Sequence, residues 1–482
     1  MPISSSMHNA QRILLAVSCL SCFAVLKLLW DSSFNTTLPA QGRVHIGANG
    51  RVAYVNAAGA DVEHGQKKVA DQVDLSDPLC ADLDGIEDLA IILKTGSTEI
   101  YEKLPIHLIT TFKCVQDHLV YSDAPQDFAG EPVRDALTLV SKEARAELQD
   151  LEQHKLLHEH IGLGGDASDL RGDKSWHLDK WKFLPMISDA YFTFGDRKKW
   201  YFFIEADTYV SLHNLLPWLA ELDHKESIFA GAQVMIGQTE FGHGGSGYLL
   251  SAGAVKALST TYRENQKHWE GVVAEDCCGD KVIAEVLKAA DPPVRLLRAF
   301  PLIQGETLSS LDWSETHWCR PAVTWHHVDA AGIDKLWQFD HSWRAKYGAT
   351  KPILFKDYYA AFIQPRLIAA NGSLPDWDNL SGESVSSAKH DSIACRSYCE
   401  HTETCVQWAW RPDSCKVGSV VHLGWALSNR PALGSAEDRI EKVSGDALKG
   451  AVSGWVMERV EALKERMGEC DPGKMWVTKN ED

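Results

Sequence analysis

The sequence lacks a basic stripe. Its 48 lysines and arginines are outnumbered by 66 aspartates and glutamates, leaving a net charge of −18. A field of that sign repels phosphate backbones, which excludes an ordinary nucleic-acid binder. No solenoid repeat or low-complexity tract is present, and the glycine-rich segment Phe241 to Tyr248 does not end in the Gly-Lys-Ser/Thr of a nucleotide-binding P-loop. The adjacent Cys277 and Cys278 lack the spacing of a zinc knuckle. What remains is ordinary: 45% hydrophobic and 24% charged residues over 482 positions, enough for two or three folded units.

Ile13 to Trp30 is a long apolar run with one charge, Lys27, near its end, where the stem can snorkel to an interface. Arg12 precedes it, and no small-x-small cleavage site follows directly. The segment reads as a signal anchor: 1–12 a cytoplasmic tail, 13–30 the membrane span, the rest lumenal. Sequons at Asn35, Asn371 and Asn379 suit that compartment, as do the ten cysteines outside the run, an even number that predicts disulfides. One bond from the 277–278 pair to Cys319 is expected.

Residues 31–100 read as a stem, with a hairpin over Gly42 to Val55 around Asn49-Gly50. From 101 to 345 strands and helices alternate. Ile106 to Phe112 and Leu119 to Asp123 read as strands, Lys180 to Tyr191 as a helix, and Lys199 to Ile204 as a strand buried on both faces. The fold class expected is α/β, with a mostly parallel sheet whose ligands sit beyond the strand carboxyl ends. A linker (346–389) leads to a cysteine-rich module (390–470) containing Cys395, Cys399, Cys405 and Cys415. A C-terminal helix is expected from the spacing of Leu448, Val452, Trp455, Val456, Val460, Leu463 and Met467.

Glu205-Ala206-Asp207 at the exit of the buried strand offers oxygen ligands to a hard divalent cation, or is a solvated turn. Trp325-His326-His327 adds imidazoles that complete a mixed metal site, or packs as an ordinary histidine pair. Glu275-Asp276 and Asp280 lie at the start of a helix, where acids are favoured by capping alone or project into a cleft as a general base. The glycines before Tyr248 let backbone approach a sugar or turn tightly.

In order along the chain, Glu205-Ala206-Asp207-Thr208-Tyr209-Val210, Gly244 to Ser251, the acid-led helix and Trp325-His326-His327-Val328 resemble the β1,3-glycosyltransferases of family 31. The likeness is strongest to core 1 β1,3-galactosyltransferases and their fungal relatives, over residues 104 to 345. It implies a GT-A fold, a UDP-sugar donor, manganese, and a type II Golgi membrane protein.

Under the resemblance, Asp207 and His326 bind the metal with Glu205. Ala206 departs from the family's middle acid. Thr111, Asp123 and Lys180 join Glu205 and Asp207 on the donor side, and Gly244, Gly245, Tyr248 and Trp325 fall on the acceptor side. The base is Asp280 by helical register or Asp276 by text match. The cysteine module, with Gln407-Trp408 after Cys405, is similar to a PAN/apple domain. The implied reaction is inverting transfer of a hexose, galactose for preference, to a hydroxyl of a glycan or glycoprotein. The rival expectation is a non-catalytic lumenal protein that binds carbohydrate or protein.

Overall fold

The computed structural model describes residues 80–429 and 450–480, together with strands β1 (Arg43–Ile46) and β2 (Val52–Val55). The apolar run Ile13 to Trp30, Asn35 and Leu448 lie outside the described residues. Among those described, no helix is long and apolar enough to cross a membrane. The chain divides into Met1–Gln72 and Val73–Asp482. In the first unit β1 and β2 pair antiparallel, Arg43 opposite Val55, as the alternation around Asn49-Gly50 predicts.

The second unit is α/β and built on a mixed eight-stranded sheet. Its strands are β3 (Leu89–Lys94), β4 (His118–Ser122), β5 (Gln126–Phe128), β6 (Glu131–Asp135), β7 (Trp200–Glu205), β9 (Phe229–Gly231), β12 (Tyr248–Ser251) and β13 (Leu296–Arg298). Between them lie the short β8 (Tyr209–Val210) and the hairpin β10 (Gln233–Ile236) with β11 (Thr239–Gly242); β14 (Thr324–Trp325) follows β13. The spatial order is β13-β9-β12-β7-β3-β4-β6-β5. Strand β3 runs parallel to β4 and β7, and β4 to β6, whereas β12 is antiparallel to both β7 and β9.

Residues of β3 and β7 alternate between two cores. Ile91, Leu93, Phe202 and Ile204 pack into one, and Ala90, Ile92, Tyr201 and Phe203 into the other. Helices cover both faces, which is why these strands read as unbroken apolar runs. The chain builds β4 and β6 on one side of β3 and then returns to place β7 on the other. That reversal makes the carboxyl ends of β3 and β7, where Lys94 lies opposite Glu205, the switch point of the sheet, the place where open α/β sheets take their ligands.

Several expectations need correction. Ile106 to Phe112 is not a strand: the helix Ile100–Ile109 and the short helix Thr111–Cys114 occupy it. A short apolar run does not distinguish a buried strand from a buried helix. The inward positions Ile100, Leu104 and His107 have helical spacing. The first parallel strand is instead β3, inside the stretch read as stem, with Leu89 to Leu93 fully buried.

The stretch read as linker folds as well, burying Ile353, Phe355, Tyr358, Ile363 and Leu367 in the main core. The C-terminal pattern divides into a strand, Val452–Trp455, paired with Gln407–Arg411, and a helix confined to Met457–Met467. Among the described residues the cysteines form five bonds: Cys80–Cys114, Cys277–Cys278, Cys319–Cys470, Cys395–Cys415 and Cys399–Cys405. Cys319 thus joins the C-terminal segment, and the 277–278 pair bonds to itself. Trp455, Val460, Leu463 and Val477 share the main core, so the cysteine module and the sheet belong to one unit. Asn379 is fully buried, its amide donating to the carbonyls of Trp408 and Gly454, so in the folded chain it is closed to glycosylation.

Candidate functional site

The site assembles at the carboxyl ends of β3 and β7. After β7 the chain turns tightly through Ala206 and Asp207 into β8, which pairs antiparallel with β14, Tyr209 opposite Trp325. The ladder is continued by the Val328 N–H donating to the Asp207 carbonyl at 2.9 Å. This pairing brings together two segments far apart in the chain. His326 Nε2 lies 3.5 Å from Asp207 Oδ1, and the His327 ring stacks on His326 with centroids 3.7 Å apart. Asp207, His326 and His327 can each offer a ligand atom, all within 4.8 Å of one another.

The group fits a divalent cation. Asp207 Oδ1 is buried without a hydrogen-bond partner, and such an orphan is costly unless a ligand satisfies it. The 3.5 Å gap is long for a hydrogen bond but close to the separation of two donors each about 2 Å from one ion. Gly245 makes room: a Cβ there would lie 2.3 Å from His326 Cε1.

Two residues missed by the sequence reading come from the helix Ile100–Ile109. Lys103 Nζ donates to Asp207 Oδ2 at 3.1 Å, and one turn later His107 Nε2 meets the Ala206 carbonyl at 2.9 Å. Burial pushes the Asp207 carboxyl up, but the adjacent His326 ring and the Lys103 ammonium outweigh it and hold it well below the usual range. Burial lowers His107 to about 4, so its ring is neutral near pH 7. A third, His243, is also lowered to about 4, by burial and the neighbouring His326; its Nδ1 lies 2.8 Å from Ser246 Oγ.

Across the glycine loop, Asp280 Oδ2 accepts from the Gly244 N–H at 2.7 Å and Oδ1 from the Lys281 N–H at 2.9 Å. Burial raises this carboxyl to about 6, only partly opposed by those two donors. Asp340 is raised to about 6 as well, but it is sealed in the core between the hydroxyls of Tyr209 and Tyr358. Asp276 is not beside Asp280 at the site: its carboxylate pairs with Lys281 and accepts from the Cys278 N–H. Gly242, Gly244 and Gly247 fall at G-x-G-x-x-G spacing, yet the segment joins β11 to β12 and opens no helix, so it is not a dinucleotide-binding turn.

A buried charge network underlies the site. Lys94 Nζ pairs with Glu205 at 2.9 Å and with Asp179, and Lys182 pairs with Asp123 at 3.1 Å and Asp179 at 3.6 Å. Burial disfavours the Lys94 charge, but Asp179 and Glu205 outweigh that and keep it protonated. Glu205 is therefore engaged by Lys94 and stands outside the Asp207–His326–His327 group. Asp123 is fully buried, binding the N–H and hydroxyl of Ser97, and shapes the loop after β3.

The remaining expected residues fall elsewhere. Lys180 pairs with Asp150 and donates to the carbonyls of Ala274 and Asp276. Thr111 is buried at the start of the short helix Thr111–Cys114. Trp325 is in the core against Phe355 and Tyr358, because adjacent strand residues face opposite ways and His326 faces the site. Tyr248 is buried and stacked on Phe203 at 4.7 Å. Gly244 and Gly245 do line the site. No protein-family model matches the chain, and no curated protein matches it.

Proposed function

We propose that the chain is an inverting, metal-dependent glycosyltransferase of the GT-A type that moves a hexose, galactose for preference, from a UDP-sugar to a hydroxyl of a glycan or glycoprotein in a β1,3-linkage. The observation that carries this reading is the convergence of Asp207, whose Oδ1 is orphaned, with His326 at the switch point of the sheet and across a glycine loop from a carboxyl raised to about 6. Crevices at such switch points are where open α/β sheets take their ligands.

Asp207 and His326, with His327 stacked beside, would hold manganese; a divalent ion there supplies neutralisation of the diphosphate charge that grows as UDP leaves. Asp280 accepts the proton of the acceptor hydroxyl as its oxygen bonds to the anomeric carbon and the carbon–phosphate oxygen bond breaks. Its backbone donors fix where that carboxylate points. Entry from the face opposite UDP turns an α-linked donor into a β-linked product. Lys103 is poised for a second cationic contact to the departing diphosphate. The anchor at 13–30 would place the enzyme in the Golgi membrane with its catalytic part lumenal, and the PAN/apple-like module would position acceptors.

The non-catalytic reading has one observation in its favour: Lys103 pairs with the Asp207 carboxylate at 3.1 Å and neutralises it. Release of UDP from a panel of UDP-sugars by the full-length chain, with manganese and with chelator, separates the two. Metal-dependent release supports the transferase; silence across the panel supports the binding protein.

A further inference from the structure

We infer that Asp135, His154 and His158 form a zinc site, separate from the Asp207 group and independent of the transferase reading. Asp135 ends β6, at the same carboxyl end of the parallel strands as Glu205 but three strands away. Register runs Asp135 to Ser122, Tyr121 to Lys94 and Lys94 to Glu205, so at about 4.8 Å per strand the two groups are roughly 14 Å apart. His154 and His158 are four apart on the helix Glu152–Gly162, which puts both imidazoles on one face.

That face meets the strand end. His154 Nε2 lies 2.8 Å and His158 Nε2 3.0 Å from the same oxygen, Asp135 Oδ2, and the two rings meet edge to face with centroids 4.3 Å apart. The other carboxylate oxygen, Oδ1, accepts the Leu137 N–H at 2.8 Å, which fixes the carboxylate plane and leaves Oδ2 to face the histidines. Backbone clamping of a ligating carboxylate in this way is how metal ligands are oriented. The three ligand atoms lie within 4.8 Å of one another.

The donor set selects the ion. Two imidazoles and one carboxylate oxygen suit zinc, at about 2.0–2.2 Å from each, with a fourth tetrahedral position left for water. To admit the ion, the Nε2–Oδ2 separations open by roughly half an ångström, and each neutral ring carries its proton on Nδ1 instead of Nε2. The Asp135 and His154 side chains are 2% and 9% exposed whereas His158 is 35% exposed, so the site is closed on the protein side and open to solvent on one. Zinc there would pin the helix Glu152–Gly162 to the end of β6.

The test uses the full-length chain in detergent with His326→Ala and His327→Ala, so that the first group cannot contribute zinc. After stripping, zinc loading and gel filtration, this background should retain about one zinc per chain, and cobalt should give the visible absorption of a tetrahedral site. Adding His154→Gln and His158→Gln should abolish both. His158→Gln alone, at the partly exposed position, should weaken zinc binding about tenfold or more without lowering the melting temperature in chelator. A background chain that retains no zinc, or zinc affinity unchanged by the histidine substitutions, overturns the inference.

Discussion

Replacing Asp280 by Asn separates a proton acceptor from a structural acid, because two readouts move in opposite directions. Burial lifts the carboxyl from 3.8 to about 6 against the pull of the Gly244 and Lys281 N–H donors. That rise corresponds to about 3 kcal/mol against the charged form, and to about 2 kcal/mol once discounted for the partial exposure of the residue. The folded value lies above the unfolded one. The group's stabilisation is therefore complete below about pH 4 and lost as pH rises through about 6. Asn carries no charge but keeps only one acceptor for two donors, a loss of about 1 kcal/mol. Asp280→Asn should thus be about 1 kcal/mol more stable than wild type near pH 7.5, with the advantage gone near pH 4.5. Transfer should fall by about 10²–10⁴-fold while manganese-dependent UDP binding persists, and wild-type kcat/KM should fall tenfold per pH unit below about 6. Denaturant titrations at the two pH values and a UDP-release assay with a saccharide acceptor measure both. Full activity in the variant, or a wild-type profile that stays flat through about pH 6, refutes the assignment of the base.

Other substitutions test the surroundings. Gly245→Ala drives a Cβ into the His326 ring and should abolish the manganese-induced rise in melting temperature. Lys103→Met removes the ammonium from Asp207, so the rise on adding manganese should be larger than in wild type; a smaller one contradicts the competition between lysine and metal. Lys182→Met strands the buried Asp123 carboxylate and should cost about 3–5 kcal/mol in denaturant unfolding.

Much of the site was legible because its signals are local. The aromatic run ending at Glu205 could only be a strand covered on both faces, and the acids after it had to emerge at its carboxyl end. His326 emerges at the end of β14 for the same reason. Its neighbour Trp325 belongs to the core by strand alternation alone, because adjacent strand residues face opposite ways. The helix Ile100–Ile109 was lost because a short apolar run containing Pro105 carries no decisive period, and Lys103 and His107 were lost with it. Lys180 and Asp276 show the other limit. Both are charged residues next to site segments, and only tertiary packing turns them toward Asp150 and Lys281. The strand Val452–Trp455 escaped because its partner, Gln407–Arg411, lies far away in the chain.

The most direct measurement is UDP release from UDP-galactose by the full-length chain, wild type against Asp207→Asn, with manganese titrated into each. The account predicts release by wild type that rises with manganese and vanishes in chelator, and none above background in the variant at any manganese concentration. Equal release by the two proteins, or release from wild type that ignores the metal, would contradict it.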